Sequence, residues 1–240
     1  MRSYLIVDDN RALAENLVEI IEDAGDSAAL AESGAEALKL ARTRRFDALV
    51  TDMRMPEMSG ADLIRQISEV DPALPVIVIT AFTSDDHLAL ARGYGLVAIL
   101  PKPVPIRRLL ELARAARRGG VVAIVEDDEA LADNLSEALS AEGFATIVAS
   151  SLDAAERIEG APFAAIVDLR LPGGPDGRST SLLRNRFPGL PMVVISGHSE
   201  LPVPRDVAGF FSKPFQMGGV ITVLDRLYTK RRAHEVDASS

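Results

Sequence analysis

The chain has 240 residues, 48% hydrophobic and 25% charged, with a formal net charge of −9 and no cysteine. Its size suits two ordinary domains with a core each, and no apolar run approaches the roughly 20 residues of a membrane span. The missing thiols exclude disulfides, thiolate catalysis and thiolate metal sites, and the acidic balance excludes a broad phosphate-binding footprint. The scattered histidines His87, His198 and His234 offer no zinc-ligand spacing, so any metal is held by oxygen. The N-terminal run meets acids at Asp8, too early for a signal peptide. A cytoplasmic location is the resulting expectation, with protein partners, no nucleic acid and no membrane.

In chain order, Tyr4 to Val7, Ala28 to Ala31, Ala48 to Thr51, Val76 to Thr80 and Ala98 to Leu100 read as short buried parallel strands. Between the first two, Leu13, Leu17, Ile20, Ile21 and Ala24 follow helical spacing, and Gly25 stops that helix. Ile106 to Arg118 reads as a last helix with Arg107, Arg108, Arg114, Arg117 and Arg118 on a solvated face, ended by Gly119-Gly120. The alternation predicts (βα)5, and right-handed crossovers turn it into a doubly wound α/β sheet with its crevice at the carboxyl ends of the central strands.

The pattern then repeats. Val7 to Leu17 recurs as Val125 to Leu135 without a gap, Val50-Thr51-Asp52-Met53-Arg54-Met55-Pro56 as Ile166-Val167-Asp168-Leu169-Arg170-Leu171-Pro172, and Val78-Ile79-Thr80-Ala81 as Val194-Ile195-Ser196-Gly197. So long a period means duplicated domains rather than a solenoid. The expected domains are residues 1–118 and 121–230, followed by a frayed polar tail over 231–240. The second copy is predicted to end in a helix near Gly219 to Tyr228, which leaves too few residues for an output module.

Asp8 and Asp9 follow the first strand and Asp52 ends the third, its neighbour in such a sheet. Three converging carboxylates repel unless protons or cations compensate, and hard oxygens suit octahedral Mg²⁺. Thr80 closes the fourth strand and Lys102 follows the fifth, adding a hydroxyl and an ammonium to the crevice. This set suits phosphoryl transfer to a carboxylate, with metal and lysine neutralising the moving charge and Asp52 attacking in line.

On these residues the chain resembles the receiver domains of two-component response regulators, the chemotaxis-type, flavodoxin-like fold. The motifs are an acid pair after strand one, Asp-x-x-x-Pro after strand three, Thr-Ala after strand four and Lys-Pro after strand five. The resemblance implies Asp52 as phosphoacceptor, Asp9 as direct Mg²⁺ ligand, Asp8 as ligand through water, Arg54 as ligand through its backbone carbonyl, and Thr80 and Lys102 as phosphoryl contacts. In the second copy it implies Glu126 and Asp127 as the acids, Asp168 as phosphoacceptor, Arg170 for the carbonyl, and Ser196 and Lys213 as phosphoryl contacts. One Mg²⁺ per receiver is expected.

The resemblance further implies a partner histidine kinase or histidine phosphotransfer protein, an unknown downstream protein, and output or phosphorelay through protein contacts. No enzymatic activity is expected beyond self-catalysed phosphorylation and dephosphorylation. Alternatives are a phosphorylation-independent scaffold and a Mg²⁺-dependent phosphatase with an aspartyl nucleophile. The second needs an acid two residues after the nucleophile, where Arg54 and Arg170 stand.

Two departures stand out. The family's switch position, three residues before the lysine and usually aromatic, holds Ile99 in the first copy and Phe210 in the second. Thr80 to Lys102 spans 22 positions but Ser196 to Lys213 only 17, with Pro202 and Pro204 in the shorter stretch, which predicts a short or missing fourth helix. The loop after Asp168, Pro172 to Gly177, is also one residue longer than Pro56 to Gly60.

Overall fold

The computed structural model describes residues 1–81, 86–171, 177–197 and 206–237. The first half runs β1 (Ser3–Val7), α1 (Arg11–Asp23), β2 (Ser27–Ala31), α2 (Gly34–Thr43), β3 (Ala48–Asp52), α3 (Gly60–Val70), β4 (Val76–Thr80), α4 (Asp86–Arg92), β5 (Ala98–Pro101) and α5 (Ile106–Ala115). The second half runs β6 (Val121–Val125), α6 (Glu129–Ala141), β7 (Ala145–Ala149), α7 (Leu152–Glu156), β8 (Ala164–Asp168), α8 (Arg178–Arg186), β9 (Met192–Ser196), β10 (Gly209–Ser212) and α9 (Met217–Asp237).

Each half builds its own five-stranded sheet, ordered β2-β1-β3-β4-β5 and β10-β9-β8-β6-β7. The strand pairs β1·β3, β3·β4, β6·β8 and β8·β9 are parallel, so the order reverses beside β1 in one sheet and β6 in the other. That reversal opens a crevice at the strands' carboxyl ends. Strands β3, β4, β6, β8 and β9 are buried at every residue, as expected of strands covered on both faces. In the first half Leu5, Val7, Leu49 and Val78 pack with Leu63, Ile64 and Ile67 of α3. Each such side chain contributes about 1.5–3 kcal/mol through burial.

Helix starts are written locally. Asn10 caps α1 by accepting from Leu13 N–H, Ser33 caps α2 from Glu36 N–H, and Ser59 caps α3 from Asp62 N–H. Helix α8 starts differently: Gly177 sits at its N-cap with φ of 80° and no side-chain cap. Helix α7 has 5 residues against 10 in α2. Gly160 and Pro162 follow it, and a proline disfavours helical geometry in the residue before it.

Several expectations need correction. Helix α5 ends at Ala115, with Ala116 as its C-cap, rather than at Arg118. Arg118 therefore leaves the expected solvated face: it is largely buried and holds both Asp71 carboxylate oxygens at 2.7 Å. Arg114 pairs with Asp26 at 3.1 Å. Helix α9 continues through Asp237 instead of ending near Tyr228, so the residues expected as a frayed tail begin as helix. Among the described residues no helix lies between β9 and β10, while residues 198–205, with His198, Pro202 and Pro204, lie outside them. No described helix is long and apolar enough to cross a membrane.

By backbone proximity the chain divides into two compact units. The first comprises Met1–Gly120 with Ser140–Ile147 and Glu159–Ala161, and the second comprises Val121–Leu139, Val148–Ile158 and the described residues from Pro162 onward.

Candidate functional site

The carboxyl ends of β1, β3, β4 and β5 deliver the predicted groups of the first unit to one place. Asp8 follows β1, Asp52 ends β3 and Thr80 ends β4, and all three are buried. Asp9 is exposed, and a carboxylate oxygen from each of Asp8, Asp9 and Asp52 lies within 4.8 Å of the others. Lys102, just past β5, bridges the cluster, with its Nζ donating to Asp8 Oδ2 and Asp52 Oδ2, both at 2.9 Å. The backbone fixes that reach, since Lys102 N–H donates to Thr80 O at 2.9 Å. The remaining oxygens are also held: Asn10 N–H donates to Asp8 Oδ1 at 2.9 Å and Met53 N–H to Asp52 Oδ1 at 2.7 Å.

The second unit repeats the plan at β6, β8, β9 and β10. Glu126, Asp168 and Ser196 are buried, Asp127 is exposed, and Glu126, Asp127 and Asp168 meet the same 4.8 Å condition. Lys213 Nζ donates to Glu126 Oε2 at 2.8 Å and to Asp168 Oδ2 at 2.6 Å, and its N–H donates to Ser196 O at 2.8 Å. Asp168 Oδ1 accepts from Arg170 N–H at 2.9 Å, one residue further on than the Met53 donor of the first unit. The side chain of Arg54 is exposed two residues beyond Asp52.

Burial pulls the Lys102 ammonium toward its neutral form, but the hydrogen bonds and charges of Asp8 and Asp52 outweigh it and raise its pKa above the ordinary value. Lys213 is raised in the same way, burial again being opposed by Asp168 and Glu126. Burial raises Glu126, with Lys213 only partly offsetting it. Both lysines are thus charged clamps at neutral pH.

The switch positions lie on the last strands. Ile99, in β5, pairs with Val78 and packs against the first core, while half-buried Phe210 in β10 pairs with Val194. Sequence reasoning missed two hydroxyls at the site. Thr51 Oγ1 donates to Asp52 O at 2.9 Å, and Ser179 Oγ donates to Asp168 O at 2.8 Å. Neither belongs to the five-group motif. The only signal was a hydroxyl residue beside one aspartate and its replacement by Val167 beside the other.

A parallel sheet of this order, with acids, a hydroxyl and a lysine gathered at its switch point, defines the receiver class of signalling domain. The family model described as "Response regulator receiver domain" matches residues 4–114. A response regulator receiver protein of Anaeromyxobacter sp. (strain Fw109-5) is 53% identical over 232 residues, covering 96% of this chain and 97% of that one. The response regulator MprA of Mycobacterium ulcerans (strain Agy99) is 37% identical over 136 residues, 57% of each chain. Among solved structures, a CheY-like receiver domain protein from Methanospirillum hungatei JF-1 aligns with a TM-score of 0.46 at 27% identity, covering 48% of this chain and 91% of that one. The chain belongs to the response regulator receiver family of two-component systems.

Proposed function

We propose that this protein is a tandem-receiver response regulator that accepts phosphoryl groups on Asp52 and Asp168 from a partner histidine kinase or histidine phosphotransfer protein. The observation that carries the reading is the duplicated clamp, in which one lysine ammonium lies within 2.9 Å of two buried acids at the carboxyl ends of neighbouring strands, once in each unit. A structural ion pair needs one acid, whereas a second acid held against the first is a charge arrangement suited to a cation and a transferring phosphoryl group.

The donor set fits a hard divalent cation, because every predicted ligand is an oxygen and the carboxylates already converge. Mg²⁺ would be held by Asp8, Asp9, Asp52 and the Arg54 carbonyl in one unit, and by Glu126, Asp127, Asp168 and the Arg170 carbonyl in the other, one ion per receiver. When bound it supplies charge neutralisation for the phosphoryl oxygens. Asp52, fixed by Lys102 and Met53 N–H, forms the new bond from its carboxylate oxygen to phosphorus as the donor's phosphorus–nitrogen bond breaks, and the donor histidine leaves with that electron pair. Lys102 and Thr80 then face the phosphoryl oxygens, and Asp168 reacts in the same way with Lys213 and Ser196. Ile99 and Phe210 stand where the change is reported.

In this reading residues 1–118 and 121–230 are the two receivers, the protein works in the cytoplasm, and its catalysis is limited to its own phosphorylation and dephosphorylation. Output passes through contacts with a downstream protein. The test is intact mass after incubation with Mg²⁺ and acetyl phosphate, for wild type, Asp52→Asn, Asp168→Asn and the double variant. Two acid-labile additions of about 80 Da, the mass of a phosphoryl group, are expected, each lost with its own substitution. One addition lost only with Asp52→Asn would make the second unit an adaptor. No addition with acetyl phosphate or a phosphorylated histidine donor would favour a scaffold.

A further inference from the structure

Both phosphoacceptor residues carry a hydroxyl on their backbone carbonyl, but the hydroxyl comes from different elements. In the first unit it belongs to Thr51, the preceding residue of β3, which is fully buried and donates to Asp52 O at 2.9 Å. The equivalent of Thr51 in β8 is Val167: Thr51 pairs with Val7 of β1 and Val167 with Val125 of β6. Val167 is just as buried and has no hydroxyl to offer. The bond to Asp168 O comes instead from Ser179, 2% exposed in the first turn of α8, at 2.8 Å. Counted from each helix's N-cap, Ser59 or Gly177, the equivalent of Ser179 is Ala61, which has no hydroxyl to offer. One unit thus uses Thr51 with Ala61, and the other Val167 with Ser179.

We infer that Ser179 is a positioning residue for the second phosphoacceptor, holding the Asp168 peptide in the attitude that Thr51 imposes on Asp52 and thereby coupling that aspartate to the start of α8. The peptide's orientation matters because the chain leaving it carries the Arg170 N–H that holds Asp168 Oδ1. Without Ser179 the buried carbonyl loses a donor, and the peptide turns to find another. That movement takes Arg170 N–H off the carboxylate. The inference deepens the proposed function, since it rests on Asp168 being an acceptor. It also gives the second unit a link that the first lacks among the described residues, from the phosphoacceptor backbone to a helix through a side chain.

The test uses the full chain with Mg²⁺ and acetyl phosphate, following the initial rates at Asp52 and Asp168 separately by peptide mass. Ser179→Ala is expected to slow Asp168 roughly three- to tenfold, the kinetic equivalent of one lost hydrogen bond, with half-saturation by acetyl phosphate and the Asp52 rate unchanged. Adding Val167→Thr, which moves the first unit's solution into the second, should return the rate to within about twofold of wild type. An unchanged rate in Ser179→Ala, or no rescue by Val167→Thr, overturns the inference. Should Ser179→Ala not fold, the isosteric Thr51→Val supplies the mirror test: Asp52 slows by a similar factor if carbonyl positioning matters and keeps its rate if it does not. Wild type that never modifies Asp168 would defeat the proposed function rather than the positioning. Amide exchange at Arg170 in the unphosphorylated chain then decides, faster in Ser179→Ala and slowed again by Val167→Thr if the inference holds, and indifferent to both if it fails.

Discussion

The two halves put the same chemistry on the same strand ends and differ in several of the helices that surround it. Lys102 and Lys213 make matching pairs of bonds within 0.3 Å of each other in length, and the carbonyls of Thr80 and Ser196 hold the two lysines at 2.9 and 2.8 Å. By contrast α7 is half the length of α2, the third helix of each half starts by a different device, and no described helix separates β9 from β10. The regular part is the part the sheet dictates, because parallel register fixes where a strand-end side chain emerges. Helices and loops have no such constraint, so they diverge while the site persists.

The largest expected effect probes how each helix approaches its aspartate. A Cβ on Gly60 would lie 2.3 Å from Asp52 O and 2.9 Å from Met53 Cα, both backbone atoms that have nowhere to go. One on Gly177 would meet nothing closer than Thr180 Oγ1 at 3.9 Å, although its φ of 80° still disfavours a side chain. Gly60→Ala should therefore destabilise its unit by about 3 kcal/mol or more, and Gly177→Ala by about 1 kcal/mol. Urea unfolding read by hydrogen exchange in β3 and β8 peptides separates the two. Equal costs would mean that the helix starts are interchangeable.

Next in size is the clamp. Lys102→Met or Lys213→Met leaves two buried acids without their cation, and with each lysine side chain 22–25% exposed the cost should be about 2 kcal/mol. Mg²⁺ should recover more stability in either variant than in wild type, since it replaces the missing charge. The pH dependence has a definite sign. Both lysines are raised, so their contribution is complete below the ordinary lysine value of about 10.4 and is lost as pH rises through the folded value. Wild type should lose this stability in strong alkali, and the methionine variants should not. An identical alkaline limb in all three would remove the clamp as the source.

Legibility in the sequence divides along the same line. Strand ends, acids and lysines could be read because buried apolar runs mark strands, and the residues just past each run land in the crevice. The length of α7 escaped, as did the end of α5 at Ala115, where Arg118 turns back to hold Asp71 rather than continuing a solvated stripe. Helical periodicity does not say when a side chain finds a better partner off the helix. The Thr51 and Ser179 bonds were invisible for a related reason, because a hydroxyl in a buried strand or first turn has the same local pattern whether or not a carbonyl lies within reach.

Helix capping gives a smaller contrast. Ser59 donates to Asp62 and accepts from its N–H, whereas Gly177 offers α8 no side chain. Ser59→Ala should cost about 1 kcal/mol, measured as the shift in the urea midpoint of the first unit. A negligible shift would show that Gly60 N–H, which donates to Met53 O at 2.9 Å, anchors the helix start unaided.

The smallest expected effect concerns the one acid that differs between the sites. Burial raises Glu126 above the ordinary glutamate value, and the Lys213 hydrogen bond and charge recover only part of that shift. A folded pKa above the unfolded one means that the folded state holds the proton more tightly. The contribution is therefore complete below about pH 4.5 and is lost as pH rises through the folded value, opposite to the trend from a paired carboxylate. In chelator, the stability difference between wild type and Glu126→Gln should slope as pH rises above the ordinary glutamate value, because glutamine keeps an oxygen for Lys213 but no titrating proton. A flat difference would mean that Lys213 fully compensates burial.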